Sequence, residues 1–538
     1  MNCLDPLQRQ PALAALEEQS FDLLIIGGGI TGAGILHEAG KAGLRAALLE
    51  ADDFAAGTSS RSTKLIHGGL RYLAMGQVRL VAEAARQRQV VHRLAAHLAQ
   101  PAWLMLPARS RMELWKYRLG VTVYETLGQV EKPLRHYQLA GRDLLAAEPS
   151  LDTDLAPSAC VYTEYLTDDA RLVLANIRSG VQKGGLALNH IRVEGFTMAN
   201  NRINGVLARC QQTGAEVRVA ADCVINAAGP WVEAVAHLSQ ENTPKPLVLS
   251  RGVHIVVPYE QLPLKQMSLL IAKDKRPIFA IPRGNVVYIG TTDTLYNQAP
   301  EIWPETKAEE VTYLLEVVNR YYGRRLERLL QKQDVLTTWA GLRPLIFQQG
   351  KNTKEISRRD EIWVGKTGLV TIAGGKLTGY GQMAREVLAE AARVTGMVWQ
   401  AGRTNDHDPL PGGDFSGSVT QLANAVALSH GIPAVDAERL VRLYGADTHA
   451  ILQRGKAVFL PGTSLYRGEI SWGVHEESAS NLVDMFYRRT RLAVFSPGEV
   501  AVLVAPVAEE MAKLLGWSVS QRQTETDALL DRLAADRP

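Results

Sequence analysis

Cysteine is scarce in this sequence, and its few copies stand far apart. Four occur in 538 residues, at Cys3, Cys160, Cys210 and Cys223. No two of them form a C-x-x-C pair, and no group of cysteines and histidines has the spacing of a zinc site. The pattern excludes a disulfide-rich scaffold and favours reduced, structural thiols. We therefore expect no metal centre.

Long apolar runs are also missing. No stretch approaches the roughly eighteen uninterrupted apolar residues that a membrane-spanning helix needs. Residues 1–19 show no basic segment followed by an apolar one, which a secretion signal would require. We expect a cytoplasmic protein that neither is secreted nor spans a membrane, although attachment to a membrane surface remains compatible with the sequence.

The chain has little excess of either charge. Its 59 basic and 56 acidic side chains give a net charge of +3. This balance argues against a nucleic-acid footprint spread over the whole chain, so we expect no nucleic-acid partner. A length of 538 residues predicts two or three domains.

Glycine, by contrast, is concentrated where two apolar runs meet. In FDLLIIGGGITGAGILHEAGKAGLRAALLE, residues 21–50, a strand-like run is followed by G-x-G-x-x-G spacing, a helical stretch and a second apolar run. This order is typical of a dinucleotide-binding βαβ unit, in which the helix N-terminus attracts phosphate. Three close glycines also occur in ordinary loops, so the flanking strands decide the interpretation. The predicted phosphate-binding residues are Gly27, Gly29, Ile30, Thr31 and Gly32.

An acidic residue closes this unit. Glu50 lies about twenty residues after the glycines, where a carboxylate accepts hydrogen bonds from the adenosine ribose. A carboxylate there disfavours a ribose that carries a 2′-phosphate. The sequence therefore argues against NADP.

A run of hydroxyl-bearing and small residues follows, from Gly57 to Lys64. Its hydroxyl and backbone N–H groups could wrap a bound phosphate and the edge of a flavin. The alternative is a solvated Ser/Thr loop. The cofactor-binding residues predicted in this region are Thr58, Ser59, Ser60, Ser62, Lys64 and Leu65.

Several further segments make the sequence recognisable. In order they are TSSRSTKLIHGGLRYL from Thr58, LTDDARLVLANI from Leu166, VINAAGPWV from Val224, RGVHIVVP from Arg251, IGTTDT from Ile289, WAGLRPL from Trp339 and AGGKLTGYGQMAREVL from Ala373. With the glycine-rich unit, this series resembles FAD-dependent glycerol-3-phosphate dehydrogenases. The resemblance is close over Phe21–Leu388 and looser through LPGG at Leu410 and DMFYRRTRLA from Asp484.

The resemblance implies a fold. We expect an α/β protein with a discontinuous Rossmann-like FAD-binding domain, an antiparallel-sheet substrate domain and an all-helical C-terminal domain. The expected ranges are 1–73, 145–230 and 335–390 for the FAD domain, 74–144 and 231–334 for the substrate or cap domain, and 391–538 for the helical domain. We expect Ala228 and Gly229, at the end of a buried parallel strand, to let the cofactor approach the backbone.

A second turn, after the strand at Leu369, is expected near the flavin. Its residues Gly375, Lys376, Leu377 and Thr378 open a helix whose N-terminus carries positive potential. That potential suits either the flavin N1/C2 region or the substrate phosphate.

Candidate catalytic residues come from four of these segments. His67, Arg71 and Tyr72 lie within six residues around a Gly-Gly pair, and Arg343 precedes a proline that restrains it. Arg71, Arg343 and Lys376 form the expected cationic set, and Tyr72 adds a hydrogen bond. His67 and His254 are the two candidates for the base. We favour His67 because of its dense surroundings.

The resemblance implies oxidation of sn-glycerol 3-phosphate to dihydroxyacetone phosphate, with non-covalent FAD and a membrane quinone as electron acceptor. Three alternatives stay open: a glycerol-3-phosphate oxidase that uses oxygen, an oxidoreductase of another hydroxy or amino substrate, and a flavin-binding protein without enzymatic activity. The oligomeric state is open, with a homodimer among the options.

One segment favours a membrane surface. RMELWKYRLGVTVYETL, residues 111–127, combines Arg111, Lys116 and Arg118 with Trp115 and other large apolar side chains. A basic amphipathic helix of this kind can lie among lipid headgroups, whereas the alternative is an ordinary packed helix. The resemblance favours a location at the cytoplasmic face of the inner membrane.

Overall fold

The computed structural model describes residues 1–68, 78–241, 244–347, 360–399 and 407–538, apart from the side chains of Arg79 and Leu80. Within these ranges the strands are β1 (Ser20–Ile26), β2 (Ala46–Leu49), β3 (Leu65–Ile66), β4 (Ala99–Ala108), β5 (Tyr137–Ala140), β6 (Ser158–Thr167), β7 (Leu186–Leu188), β8 (Ile191–Ala199), β9 (Arg202–Cys210), β10 (Glu216–Asn226), β11 (Leu247–Pro258), β12 (Met267–Ile271), β13 (Pro277–Arg283), β14 (Val286–Gly290), β15 (Thr294–Tyr296), β16 (Thr337–Ile346), β17 (Glu361–Val364) and β18 (Val370–Ala373).

The α-helices of the same ranges are α1 (Arg9–Glu18), α2 (Ile30–Lys41), α3 (Val78–Leu94), α4 (Arg111–Leu127), α5 (Gly141–Ala147), α6 (Asp169–Gln182), α7 (Val232–His237), α8 (Ala308–Tyr322), α9 (Tyr380–Thr395), α10 (Val419–His430), α11 (Ala434–Tyr444), α12 (Thr448–Arg454), α13 (Arg467–His475), α14 (Leu492–Phe495), α15 (Pro497–Leu515) and α16 (Val519–Ala535). A single π-helical turn, Asp484–Arg489, precedes α14.

The first sheet is built around parallel strands. Its order is β17-β18-β10-β1-β2-β7, and β9 and β8 continue from β10 as an antiparallel pair. Strand β1 lies parallel to both β10 and β2, and β18 lies parallel to β10. Helices α2, α6 and α9 pack together beside this sheet. The apolar run Leu23–Ile26 is buried because a parallel sheet is covered on both faces.

The second sheet runs β15-β11-β14-β13-β12-β4-β6-β3, with β16 against β11 and β5 against β6. Its pairs are antiparallel except for β4 and β12, which are parallel. Strands β6 and β16 belong to this sheet, although their residues fall in ranges expected for the FAD domain. The chain passes between the two sheets as often as the expected ranges imply, but β3, β6 and β16 place some of these passages at other residues. The ranges remain a prediction.

The C-terminal part is helical, as expected. Helices α10 to α13 surround a small core of their own that contains Val426, Leu440 and Trp472. Helices α14 to α16 instead share one core with the second sheet, in which Leu503 and Phe486 belong to the same cluster as Tyr288. The helical part is thus joined to the sheet by apolar packing.

The structure also bears on the predictions made for the cysteines and for membrane-spanning helices. Cys3, Cys160, Cys210 and Cys223 are all buried free thiols. Among the helices described, none is both long enough and apolar enough to cross a bilayer.

Candidate active site

A cavity of about 1180 Å³ lies where the two sheets meet. Its wall includes Ile26 and Leu49 at the carboxyl ends of β1 and β2, and Leu269, Phe279 and Arg343 from the second sheet. Crevices outside the carboxyl ends of parallel strands are the usual ligand site of open α/β sheets. The volume exceeds the roughly 300–1,000 Å³ of a site for one small ligand, so it suits a cofactor and a substrate together.

The glycine-rich turn between β1 and α2 leaves no space for side chains. Gly27 has φ +110°, and a Cβ placed there would lie 2.6 Å from the carbonyl oxygen of Ala227. A Cβ at Gly32 would lie 1.9 Å from the carbonyl oxygen of Gly27. Gly27, Gly29, Ile30 and Thr31 line the cavity. The turn therefore has the backbone groups and the helix N-terminus that a phosphate site requires.

Glu50 lies beside this turn. One carboxylate oxygen accepts a hydrogen bond from the backbone N–H of Gly28 at 2.6 Å, and the other accepts one from Asp52 at 2.8 Å. Burial raises the pKa of this carboxyl group to about 7. The group lines the cavity and has lone pairs left for hydroxyl donors. This is the environment that a ribose with free hydroxyl groups requires.

The hydroxyl-rich segment forms the next part of the wall. Thr58, Ser59, Ser62 and Leu65 line the cavity, whereas Ser60 is buried away from it. The hydroxyl of Ser59 accepts a hydrogen bond from the backbone N–H of Ile30 at 3.0 Å. The segment is therefore tied to the start of α2.

Lys64 corrects an expectation. Its side chain does not line the cavity; the ammonium is fully buried and donates to both carboxylate oxygens of Asp169, each at 3.2 Å, and to the carbonyl of Ser60 at 2.9 Å. Burial lowers the pKa of Lys64 to about 7, and Asp169 opposes that shift. A buried ammonium needs a carboxylate partner, and the nearest one lies behind the wall.

Arg343 is held against the floor of the cavity. Its guanidinium donates to the hydroxyl of Thr291 at 2.8 Å and to the carbonyl of Thr292 at 3.2 Å. A Cβ at Gly252 would lie 2.0 Å from one of its terminal nitrogens, so the glycine makes room for it. Asp293 lies 4.0 Å away. The guanidinium is thereby fixed in one orientation.

The two base candidates have different surroundings. His67 lines the cavity, and its ring meets Phe279 edge-on with centroids 6.0 Å apart. His254 is buried and is not part of the wall; it stacks on Trp339 at 4.8 Å, and its Nε2 lies 3.0 Å from the hydroxyl of Thr63. Burial holds the pKa of His254 well below its usual value, with Lys64 adding to the effect. Its imidazole is neutral and one residue removed from the cavity.

The turn that follows β18 contributes to the cavity wall as well. Gly375, Lys376, Leu377 and Thr378 all line the cavity, as do Ala228 and Gly229 at the end of β10. Gly375 has φ +85°, and a Cβ there would lie 2.3 Å from a Met383 side-chain carbon. The hydroxyl of Thr378 donates to the carbonyl of His67 at 3.3 Å, which joins the two walls. Arg71 and Tyr72 lie outside the described residues.

The sequence analysis did not predict several residues that line the cavity wall. Arg61 lies within the hydroxyl-rich run and packs on Trp303, with 3.7 Å between its guanidinium carbon and the ring centroid. Burial lowers the pKa of Arg61 to about 9. Lys275 and Arg276 also line the cavity. The position of Arg61 in the run was a usable signal, whereas no motif marked Lys275 or Arg276.

These residues fit FAD. The side-chain-free turn suits its pyrophosphate, Glu50 suits its ribose, and the wall between Thr58 and Leu65 can enclose its ring system.

Comparisons with known proteins agree with this fit. Residues 22–383 match the FAD dependent oxidoreductase family, and residues 403–522 match the C-terminal domain of alpha-glycerophosphate oxidase. The aerobic glycerol-3-phosphate dehydrogenase of Staphylococcus haemolyticus is 38% identical over 97% of this chain and 96% of its own. The chain belongs to the FAD-dependent glycerol-3-phosphate dehydrogenase family. Its cofactor is FAD.

Solved structures extend the family comparison. The glycerol-3-phosphate dehydrogenase of Bacillus halodurans, complexed with FAD, superposes with a TM-score of 0.82, 32% identity and 99% coverage of both chains. The L-alpha-glycerophosphate oxidase of Mycoplasma pneumoniae, with FAD bound, has a TM-score of 0.55 and 17% identity, and covers 71% of this chain and 96% of its own. The second likeness concerns the fold alone. The expected family, fold class and cofactor are confirmed.

Proposed function

We propose that this protein oxidises sn-glycerol 3-phosphate to dihydroxyacetone phosphate and passes the electrons to a membrane quinone. The substrate is supported by the named activity of relatives that match almost the whole chain. The observation that carries the proposal is the arrangement of Arg343, Lys376 and Lys275 around the cavity that also contains His67. A phosphate monoester is doubly charged, and such a set of cations can bind it.

The cofactor and the side chains have separate roles in the proposed reaction. When bound, FAD would supply the redox chemistry, as the acceptor for a hydride from C2 of the substrate. The side chains must hold the phosphate, orient C2 and take up the hydroxyl proton. Arg343 is suited to binding an oxygen of the substrate because its donor fork is already fixed by Thr291 and Thr292. Developing negative charge on that oxygen is then stabilised without reorganisation.

His67 is the proposed base. It faces the cavity, whereas a buried residue such as His254 can act on the substrate only through Thr63. The His67→Asn variant should slow flavin reduction by about 10²–10⁴-fold while FAD stays bound. A larger loss in His254→Asn than in His67→Asn, at equal flavin content, would transfer the role to His254.

Anaerobic mixing of the yellow protein with glycerol 3-phosphate tests the reaction. We expect the flavin absorbance near 450 nm to bleach within the mixing experiment, since reduction removes that band. An unchanged spectrum in a fully flavin-loaded sample would refute the proposal. Glycerol without phosphate is the matched control and should bleach the sample far more slowly, because it offers nothing to the cations.

The acceptor is tested by the recovery of colour. We expect a quinone analogue to restore the oxidised spectrum faster than dissolved oxygen does. Oxidase activity is the second candidate because the C-terminal residues match a domain named for alpha-glycerophosphate oxidase. Faster recovery with oxygen, accompanied by peroxide, would favour that candidate over the quinone.

Arg343→Lys tests the fixed guanidinium. Lysine keeps the charge but loses the planar fork, so flavin reduction should slow by about 10²-fold with FAD retained. Arg324→Lys is the control, since that side chain is 67% exposed, pairs with Asp154 and does not line the cavity. Equal rates in the two variants would remove Arg343 from the site.

Peripheral attachment to the cytoplasmic membrane completes the proposal. Helix α4 exposes Met112, Trp115 and Leu119 to 67%, 60% and 51%. Arg111, Lys116 and Arg118 are exposed on the same helix. Apolar side chains flanked by cations suit an anionic lipid surface, where the enzyme would meet a quinone.

A further inference from the structure

Three buried arginines lie at the end of the π-helical turn and just after it, in the C-terminal part. Arg488, Arg489 and Arg491 are exposed to 2%, 0% and 1%. Burying a guanidinium costs several kcal/mol unless carboxylates surround it, and apolar residues of similar size often stabilise an interface as well or better. Simple adhesion between the C-terminal helices and the rest of the chain therefore does not require these residues.

Arg491 binds two carboxylates at the start of α6. Its Nη2 donates to Asp169 at 3.0 Å and its Nε donates to Asp168 at 3.2 Å. Its own backbone has φ +65°, a left-handed conformation that is unfavourable for a residue with a side chain. Strain of this kind persists where the surroundings fix a particular geometry.

Asp169 in turn holds the cavity wall. It accepts hydrogen bonds from the backbone N–H of Ser62 at 3.0 Å, from the Ser62 hydroxyl at 2.7 Å and from the Lys64 ammonium at 3.2 Å. Ser62, Thr63 and Leu65 line the cavity. Two consecutive contacts thus lead from Arg491 to the wall expected beside the flavin.

Arg489 makes the equivalent connection on the adenosine side. It donates to the two carboxylate oxygens of Asp53 at 2.6 and 2.7 Å. Asp53 follows Glu50 by three residues, and the N–H of Ala55 donates to the carbonyl of Gly28 in the glycine-rich turn at 3.0 Å. Arg488 also binds Asp53.

We propose that Arg489 and Arg491 are positioning residues for FAD: Arg491 fixes the Ser62–Lys64 wall through Asp169, and Arg489 fixes the Glu50 loop through Asp53. The C-terminal helices thereby set the affinity for the cofactor without touching it. The inference deepens the proposed function and rests on the FAD site, not on the identity of the substrate.

The test measures FAD release from the full-length holoenzyme by the recovery of flavin fluorescence. Loss of one charge-assisted hydrogen-bonding partner corresponds to about tenfold or more in affinity, so Arg491→Gln should raise the FAD dissociation constant by at least that factor. Arg489→Gln should have an effect of similar size. Visible circular dichroism of the bound flavin should change in Arg491→Gln, since the wall beside the ring is released.

Glu477→Gln is the matched control. Glu477 is a buried partner of Arg171 at the same interface, with contacts of 2.5 and 2.7 Å. Its backbone carbonyl accepts hydrogen bonds from Arg489 and is unchanged in the variant, and its carboxylate touches neither cofactor loop. The control should lower thermal stability and change the dissociation constant by less than about twofold. An equal loss of FAD in the control and in Arg491→Gln would overturn the proposal, because the arginine would then act only through stability.

A double-mutant cycle tests the route. In an Asp169→Asn background, Arg491→Gln should add less than about twofold to the dissociation constant, because residues that act in series are not additive. A full additive effect would refute the connection through Asp169. Where Arg491→Gln does not fold, Arg491→Lys takes its place: it keeps the charge but cannot bind both carboxylates as a fork. Unchanged FAD affinity in a folded Lys variant would overturn the proposal.

The outcome is separable from that of the proposed function. FAD release is measured without substrate, whereas bleaching by glycerol 3-phosphate requires both bound FAD and a substrate that the protein can oxidise. A wild-type protein that is not bleached, but whose FAD affinity depends on Arg491, would refute the proposed substrate and leave this inference standing.

Discussion

Gly32 lets α2 begin directly against the glycine-rich turn. Because a Cβ at this position would lie 1.9 Å from the carbonyl oxygen of Gly27, even alanine must push the turn and the helix apart. The phosphate-binding geometry depends on that close approach. A single added Cβ at Gly32 is therefore expected to disturb the phosphate-binding turn.

Gly32→Ala should lower FAD occupancy about tenfold or more, since a displaced turn loses several backbone donors at once. The ratio of absorbance near 450 nm to that at 280 nm in the purified protein measures the occupancy. Gly120→Ala in α4 is the control, because a Cβ there meets no atom within 4 Å and should stabilise the helix. Full occupancy in Gly32→Ala would show that the turn does not hold the pyrophosphate.

We expect Glu50 to make FAD binding depend on pH. Burial raises the pKa of its carboxyl group to about 7, so the group is partly protonated at neutral pH. Ribose hydroxyls favour the ionised form, so binding lowers this pKa and releases a proton. Affinity therefore rises with pH through the value of the free protein.

Between pH 6 and pH 8 we expect the affinity for FAD to increase by about tenfold in wild-type protein. Titration of the flavin-free protein with FAD at each pH measures it. Glu50→Gln should bind more weakly and without this dependence. A wild-type affinity that falls over the same range would mean that another group, such as Lys64 with its pKa of about 7, controls binding.

Helix α4 has one buried face and one exposed face that carries large apolar side chains. It packs through Val121, Tyr124 and Glu125, which are buried, and turns Met112, Trp115 and Leu119 to the outside. The outward side chains contribute little to the internal core. Their exposure is what the proposed attachment to a lipid surface requires.

Replacing Trp115 and Leu119 together with serine should reduce binding to anionic vesicles by at least about tenfold, because each large apolar side chain contributes roughly 1.5–3 kcal/mol on burial. Co-sedimentation with vesicles measures the binding, and the melting temperature should stay unchanged. The control replaces Leu428 and Val435, exposed to 86% and 73% in the C-terminal helices, with serine. Equal vesicle binding in both double variants would exclude α4 as the attachment site.

At the scale of the whole molecule, the second sheet and the last helices form one core. Tyr288 and Trp339 from the sheet belong to the same buried cluster as Phe486 and Leu503. A buried ion pair also ties the C-terminal part to the first-sheet side, where Arg171 of α6 binds Glu477. The helical part is therefore a structural component of the cofactor-binding unit.

A chain that ends at Trp399 should consequently be insoluble or free of flavin, since it exposes an apolar sheet face and leaves buried carboxylates such as Asp53 and Asp169 without their arginines. Soluble yield and absorbance near 450 nm measure the outcome. A chain that lacks only residues 537–538 is the control and should retain flavin. A soluble, yellow truncated protein would contradict the shared core.

The sequence by itself determined the features whose residues lie close together along the chain, such as the glycine-rich turns. The turn at Gly27–Gly32, Glu50 and the turn at Gly375 were predicted because their functions depend on short spacing between strands and helices. Helix α4 has the bounds of the basic amphipathic segment. The family followed from the order of such segments.

Only the tertiary structure decided which way side chains of the same segment point. Lys64 and Leu65 are neighbours, yet Leu65 lines the cavity and the Lys64 ammonium turns to Asp169, 105 residues away in sequence. His254 is covered by Trp339, and Arg491 reaches Asp169, which lies behind the wall, across 322 residues. Buried charges find their partners in space, and local sequence patterns carry no record of those distances.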